Sequence, residues 1–205
     1  MTNHYYNNNL ETKSRERLVK YHVFNKELTF ITDHGVFSKD AIDYGTRVLI
    51  ENVEIKPEYK KVLDIGCGYG PIGISLAKGF PFVHFDLIDI NLRALDLARR
   101  NAQLNNLQNI SIFESNIYEM INTKYDCIIS NPPIRAGKKI VHQIIEEAIK
   151  YLVSSGAIYI VIQKKQGAKS AYEKLKQTFD NCEIACRDKG YYLLRSIKKP
   201  IDSDI

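Results

Sequence analysis

Residues 62–77, VLDIGCGYGPIGISLA, join a short apolar run to a helical apolar pattern through a turn that contains Gly66, Gly68 and Gly70. This order predicts a buried β-strand, a glycine-lined turn and the start of an α-helix. Glycine has no Cβ atom, so the turn accommodates positive φ and brings bare backbone close to a ligand at the helix N-terminus. The segment therefore predicts a βα unit that binds a cofactor.

Apolar runs and amphipathic patterns alternate along the chain from residue 61 onward. Such alternation is typical of an α/β fold with a mostly parallel sheet and helices on both faces. The short connection at 188–190 contains a glycine and predicts an antiparallel final hairpin. We predict strands near 61–65, 83–89, 109–114, 125–130, 156–163, 182–187 and 190–197, with helices near 71–78, 91–105, 138–152 and 167–179.

The N-terminal part of the chain has a different pattern. Residues 1–20 are polar without a sustained period and predict a flexible arm, so we assign one domain to 21–200. Two short runs, Tyr21–Phe24 and Leu28–Ile31, predict a small β-hairpin.

A further helix is predicted between this hairpin and the first strand of the alternation. Ser38 can cap its N-terminus, and Asp40 would favour the dipole in its first turn. We expect the helix to continue to about Glu51. Gly45 lowers its stability relative to alanine, which indicates close packing or ligand approach at that position.

Composition excludes several classes of protein. The chain of 205 residues is 44% apolar, lacks any apolar run near the length of a membrane span, and begins with a polar segment. Its four cysteines show no CxxC spacing, and its five histidines show no metal-ligand spacing. We therefore expect a cytoplasmic protein with reduced thiols, no metal and no membrane contact.

The cofactor is predicted from two carboxylates near the glycine turn. Asp64 lies inside the first strand, and Asp89 follows 25 positions later at the end of the second, where it can accept hydrogen bonds from a ribose diol. A dinucleotide fingerprint would place a third glycine at Pro71. A negative charge at Asp64 suits a cationic ligand better than a diphosphate. These features favour S-adenosylmethionine over a dinucleotide or a plain tight turn.

The segment SNPPI at 130–134 predicts the acceptor site. Asn131 and Pro132 each offer an oxygen that can accept one N–H of an amine, and Pro132 with Pro133 makes the turn stiff. Two such acceptors would favour a pyramidal nitrogen and direct its lone pair at a methyl group. We predict Asn131, Pro132 and Pro133 as catalytic residues, against the alternative of an ordinary strand-ending turn.

Four motifs follow one another along the chain: GVFS at 35–38, DIGCGYGPIG at 64–73, LIDIN at 87–91 and SNPPI at 130–134. Together they resemble the class I methyltransferases of the small-domain, RsmC-like branch. The similarity extends over about residues 20–197. It implies a Rossmann-like, seven-stranded sheet and S-adenosylmethionine-dependent methylation of the exocyclic N2 amine of guanine in small-subunit (16S) ribosomal RNA. It also implies a set of cofactor-binding residues: Asp64, Gly66, Cys67, Gly68, Asp89, Ile90, Asn116 and Asn131.

The residue after NPP departs from the pattern of many relatives, because Ile134 stands where an aromatic ring commonly stacks on a base. We predict that Phe37 supplies the ring. Arg135, Lys138 and Lys139 follow at the mouth of the predicted site, where they would contact phosphates of an RNA acceptor. Solvation of a helix start remains the alternative for these three cations.

The net charge of +5 comes from the C-terminal part of the chain. Residues 133–205 contain 14 basic and 8 acidic side chains, whereas 1–132 are nearly balanced. A one-sided basic surface can attract phosphate backbones, with solvated helix faces and a basic tail as the alternative. The resemblance implies ribosomal RNA or the small ribosomal subunit as partner, and we expect a monomer or homodimer. Two alternatives stay open: methylation of a protein glutamine amide, and a non-catalytic cofactor-binding or RNA-binding module.

Overall fold

The computed structural model describes residues 16–33, 42–132 and 137–200. Its strands are β1 (Arg17–Val23), β2 (Lys26–Thr32), β3 (Lys61–Ile65), β4 (His84–Asp89), β5 (Ile110–Glu114), β6 (Tyr125–Ser130), β7 (Leu152–Gln163), β8 (Glu183–Asp188) and β9 (Tyr191–Ile197). Its helices are α1 (Tyr44–Asn52), α2 (Pro71–Gly79), α3 (Leu92–Leu104), α4 (Lys138–Tyr151) and α5 (Ala168–Phe179), with a 3-10 turn at Lys164–Gln166.

Seven strands form one sheet in the order β5-β4-β3-β6-β7-β9-β8. The first five of these are parallel neighbours, and β9 runs antiparallel to both β7 and β8. This confirms the predicted Rossmann-like class I methyltransferase architecture, with its mostly parallel sheet and antiparallel final hairpin. The carboxyl ends of the parallel strands share one edge of the sheet, which is where α/β proteins bind ligands.

Two hydrophobic clusters cover the two faces of the sheet. Helices α1, α2 and α3 contribute Leu49, Leu76 and Leu95 to the first, and all three side chains are fully buried. Helices α4 and α5 contribute Ile145 and Leu175 to the second. The predicted helical layers on both faces are confirmed. The apolar stripe of α4, formed by Val141, Ile144, Ile145 and Ala148, explains the packing of this helix against β7.

The N-terminal hairpin pairs β1 with β2 in a separate two-stranded sheet, as predicted. Asn101 and Asn105 of α3 bind the backbone of β2 as an adjacent strand would: their side-chain amides donate to the Ile31 and Thr29 carbonyls, and their oxygens accept from the same residues. Strand β1 begins at Arg17, within the segment predicted as an arm. The division into an arm and one domain stays a prediction.

The predicted start of the first helix is wrong. Asp43, rather than Ser38, is the N-cap of α1, because its carboxylate accepts a hydrogen bond from the Thr46 amide at 3.2 Å. Ser38 and Asp40 lie outside the described residues. The expected close packing at Gly45 is confirmed, since an added Cβ would lie 2.7 Å from Cε1 of Tyr191.

Candidate active site

The glycine turn and the NPP turn lie side by side. Strands β3 and β6 are parallel neighbours in which Asp64 is opposite Ile129, so both turns leave the same edge of the sheet. The Ser130 hydroxyl donates to the Ile65 carbonyl at 2.8 Å and joins the two strand ends. The predicted cofactor turn therefore adjoins the predicted acceptor turn.

The glycine turn has the predicted backbone conformation. Gly66, Gly68 and Gly70 have φ values of 72°, 58° and 88°, a region that side chains with a Cβ rarely adopt. The Cβ position of Gly68 has no other atom within 4 Å, so this part of the turn faces open space. The backbone beside α2 is accordingly accessible to a ligand.

Asp64 lies under this turn and is fully buried. Its Oδ2 accepts a hydrogen bond from the Gly73 amide at 3.0 Å, whereas Oδ1 has no hydrogen-bond partner among the described residues. Burial raises the pKa of the Asp64 carboxyl to about 7, although the Gly73 amide acts in the opposite direction. An unpartnered buried carboxylate oxygen fits a cationic ligand group.

Asp89 is held at the end of β4 by two backbone amides. Its Oδ2 accepts from Gly68 and its Oδ1 accepts from Asn91, each at 2.9 Å. Burial raises the pKa of the Asp89 carboxyl, and these amide bonds oppose that shift. Both oxygens keep further acceptor capacity for two hydroxyl groups. Ile90, which is 37% exposed, presents an apolar surface beside them.

Two other predicted cofactor residues differ in their exposure. Cys67 is buried in the turn, and burial raises the pKa of its thiol well above the ordinary range, so it offers a neutral wall rather than a nucleophile. Asn116 is exposed after β5, two strands away from β3, and its amide donates to Glu119 at 2.7 Å. Asn116 thus follows the carboxyl end of β5, at the same edge of the sheet.

Asn131 has a specific orientation that the sequence did not reveal. Its Nδ2 donates to Asp43 Oδ2 at 3.2 Å and to Thr46 Oγ1 at 3.0 Å. Because a carboxylate only accepts hydrogen bonds, the contact with Asp43 determines which amide atom is nitrogen. The Oδ1 atom accepts no hydrogen bond within the described part of the chain. The first turn of α1 thus holds the amide and leaves its oxygen available.

The remaining predicted acceptor residues are only partly described. Pro132 is buried, and Lys138 and Lys139 are exposed in the first turn of α4. Pro133, Phe37, Ile134 and Arg135 lie outside the described residues. Their roles therefore stay predictions.

An aromatic pair lies next to this group and was not singled out from the sequence. The rings of Tyr44 and Tyr191 are 5.9 Å apart, and the Tyr44 hydroxyl donates to Asp188 at 2.5 Å. These contacts join the start of α1 to the β8–β9 hairpin. No local pattern relates residues so distant in sequence, although Asp43 and Thr46 do have the spacing of an N-cap and its N3 residue.

The described ranges contain no cluster of three or more potential metal ligands. Nor do they contain a helix long and apolar enough to cross a membrane. His142, in the first two turns of α4, is hydrogen-bonded to Ser170 at 2.8 Å.

Comparison with known protein families decides which family the chain belongs to. The family described as "Methyltransferase small domain" matches residues 27–195, which is most of the chain. The chain is a member of the methyltransferase small domain family. The matched range includes both carboxylates, the glycine turn, Asn131 and the first turn of α1.

Similar proteins of known sequence support this membership. The chain is 44% identical to the uncharacterized protein YbxB of Bacillus subtilis, over 97% of this chain and 100% of that protein. It is 38% identical to the ribosomal RNA small subunit methyltransferase C of Buchnera aphidicola, over 73% of this chain and 47% of that protein. The chain thus spans about half the length of the curated methyltransferases C that it matches.

A solved structure has the same fold. The T. thermophilus 16S rRNA N2 G1207 methyltransferase RsmC, in complex with AdoMet and guanosine, aligns with a TM-score of 0.80 at 20% identity. The alignment covers 90% of this chain and 51% of that chain. This likeness supports the fold, in which parallel strands bring the glycine turn and the NPP turn to one edge of the sheet.

Proposed function

We propose that this protein is an S-adenosylmethionine-dependent methyltransferase that acts on the exocyclic N2 amine of guanine in small-subunit (16S) ribosomal RNA. The observation that carries the proposal is the orientation of Asn131, whose side-chain oxygen accepts no hydrogen bond from the described residues and whose turn adjoins the glycine turn. The names of the RsmC relatives support the choice of nucleobase and RNA.

The residues of the glycine turn fit this cofactor. The unpartnered Oδ1 of Asp64 suits the positive charge of its methionine portion, and the open backbone at Gly68 leaves space next to it. Asp89 would bind the ribose hydroxyls, with Ile90 and Asn116 next to the adenine. Bound here, S-adenosylmethionine supplies an electrophilic methyl group carried on a sulfonium.

The acceptor amine needs help because its lone pair is delocalised into the guanine ring. Asn131 Oδ1 and the Pro132 carbonyl each accept one N–H, which favours a pyramidal nitrogen with an available lone pair. The same two oxygens stabilise the positive charge that develops on nitrogen. Asp43 and Thr46 keep the amide from rotating, so little reorientation is required during the reaction.

Small ribosomal subunits or their RNA are the partners in this proposal, and the reaction takes place in the cytoplasm. The uneven charge supports an RNA partner, because most of the net positive charge belongs to residues 133–205. Whether the protein acts as a monomer or a homodimer stays a prediction from the sequence.

Transfer of a labelled methyl group tests this function. Protein incubated with tritiated S-adenosylmethionine and small subunits from a strain that lacks the enzyme should label 16S RNA, and nucleoside mass spectrometry should identify N2-methylguanine. Label in protein alone would instead favour the glutamine-amide reaction. If the protein bound the cofactor tightly but transferred no methyl group to RNA or to protein, the alternative of a non-catalytic binding module would be favoured.

Cofactor affinity should depend on pH through Asp64. In the free protein the pKa of this carboxyl is about 7, so below that pH it carries a proton that must leave when a cationic group binds. Affinity should therefore fall roughly tenfold as the pH decreases from 7 to 5.5. Calorimetry in this range measures the change. The range lies below the pKa of an α-amino group, so the amino group of the cofactor stays protonated throughout. Asp64→Asn should bind more weakly at pH 7 and show no such dependence; an equal dependence in this variant would assign the proton elsewhere.

A further inference from the structure

A groove of about 680 Å³ opens between the start of α5 and the β8–β9 hairpin. Its lining includes three cations, Lys164, Lys169 and Arg187, and two aromatic rings, Tyr172 and Tyr192. The Arg187 guanidinium lies over the Tyr192 ring at 5.2 Å from its centroid. The groove therefore combines flat ring surfaces with positive charge.

The groove lies at the same edge of the sheet as the NPP turn. Strand β7 pairs with β6 and ends at Gln163, which is opposite Tyr191 of β9, and Asp188 of β8 is opposite the same tyrosine. Strands in a sheet are about 4.8 Å apart, so β9 and β8 lie roughly 10 and 15 Å from β6. The groove is on the α5 face of the sheet and α1 is on the other face, so one extended strand that crosses this edge can reach both the groove and Asn131.

The three cations of the groove lack an acidic partner among the described residues. Within the described ranges, Lys164, Lys169 and Arg187 form no ion pair, whereas Lys174, further along α5, binds Glu146. Asp188 is the nearest acidic neighbour of Arg187 in sequence, but successive strand residues point to opposite faces, and its carboxylate binds the Tyr44 hydroxyl. Unpaired cations beside aromatic rings are the combination that binds unpaired bases and their phosphates.

We propose that this groove binds a single-stranded segment of the RNA substrate that flanks the target guanine. Lys164, Lys169 and Arg187 contact its phosphates, and Tyr172 or Tyr192 stacks on a base. The inference rests on the proposed function and adds to it a second RNA contact, separate from the base-binding turn. The groove would hold the strand while Asn131 binds the amine of the target base.

Charge reversal in the groove tests this inference. In Lys164→Glu/Lys169→Glu, the apparent KM for 16S RNA or small subunits should rise about tenfold or more, because two phosphate contacts are replaced by repulsion. The salt dependence of binding should weaken by about one phosphate contact per lysine. Values of kcat and the Kd for S-adenosylmethionine should stay within about twofold of the original protein.

A matched variant controls for net charge. Lys124 precedes β6 and Lys150 lies in the last turn of α4, both exposed at the opposite edge of the sheet. Lys124→Glu/Lys150→Glu changes the charge equally and should leave the KM for RNA nearly unchanged. An equal increase of KM in the two double variants, or no increase in either, would overturn the groove proposal. The proposed methyltransferase function would not be affected by that outcome.

Direct binding separates the groove from the proposed function. A fluorescent single-stranded oligoribonucleotide should bind the original protein and the Lys124/Lys150 variant with similar affinity, and the groove variant at least about tenfold more weakly. This result would support the groove even if methyl transfer to RNA were not observed. Tyr172→Leu, which keeps an apolar side chain, should weaken the same complex several-fold; unchanged affinity in both groove variants would refute the site.

Discussion

Replacing Asn131 by alanine is expected to lower kcat by about 10²–10³-fold, comparable to the loss of one preorganised polar group at other reacting centres. The amide oxygen would no longer accept an N–H or stabilise the charge that develops on nitrogen. The cofactor carboxylates Asp64 and Asp89 are untouched, so the Kd for S-adenosylmethionine should stay within about threefold. Single-turnover methyl transfer and calorimetry measure the two quantities.

Thr46→Val is the informative companion to this variant. Valine has nearly the shape of threonine but removes one of the two acceptors that hold the Asn131 amide. We expect a smaller decrease in kcat, of about 3- to 10-fold, because the contact with Asp43 remains. An Asn131→Ala variant that retained its turnover would remove the amide from the mechanism. A Thr46→Val effect confined to thermal stability would limit Thr46 to a structural role.

Replacing Asp89 by alanine is expected to weaken S-adenosylmethionine binding by about 2–3 kcal/mol, or roughly 30- to 150-fold in Kd. The ribose hydroxyls would lose a charged acceptor. The amides of Gly68 and Asn91 would also lose their common partner, which loosens the glycine turn. Calorimetry at pH 7.5 measures the loss, and kcat at saturating cofactor should change much less.

Two variants control for this effect. Asp89→Asn keeps one oxygen acceptor and should bind the cofactor with intermediate affinity. Asp96 is exposed on α3, where its carboxylate is near Arg100, so Asp96→Ala should bind the cofactor as the original protein does. Cofactor affinity that stayed the same in Asp89→Ala would contradict the ribose role of this carboxylate.

Most of the fold was predictable because its signals are local. The predicted strands at 61–65 and 125–130 agree with β3 and β6 to the residue. The apolar stripe of α4 and the glycine turn were also recognisable from a few adjacent positions. The start of α1 was not predictable in this way, because both Ser38 and Asp43 are residue types that can cap a helix. Asp43 also contacts Asn131, which belongs to another part of the chain.

The candidate site divides in the same way. Asp64, Asp89 and Asn131 each follow or occupy a predicted strand, so their approach at one sheet edge follows from parallel topology. The orientation of Asn131 does not, since Nδ2 binds residues 88 and 85 positions away. The groove likewise combines the start of α5 with the β8–β9 hairpin, which joins the sheet through the pairing of β9 with β7.

The sequence by itself determined the βα alternation, the glycine turn and the residue types that bind an amine and a ribose. These depend on hydrophobic periodicity and on the conformations open to glycine and proline, which act over a few residues. Only the tertiary structure decided which way the Asn131 amide points, which oxygen of Asp64 lacks a partner among the described residues, and which cations share a groove. Those properties depend on contacts between elements that packing brings together, and no local pattern encodes them.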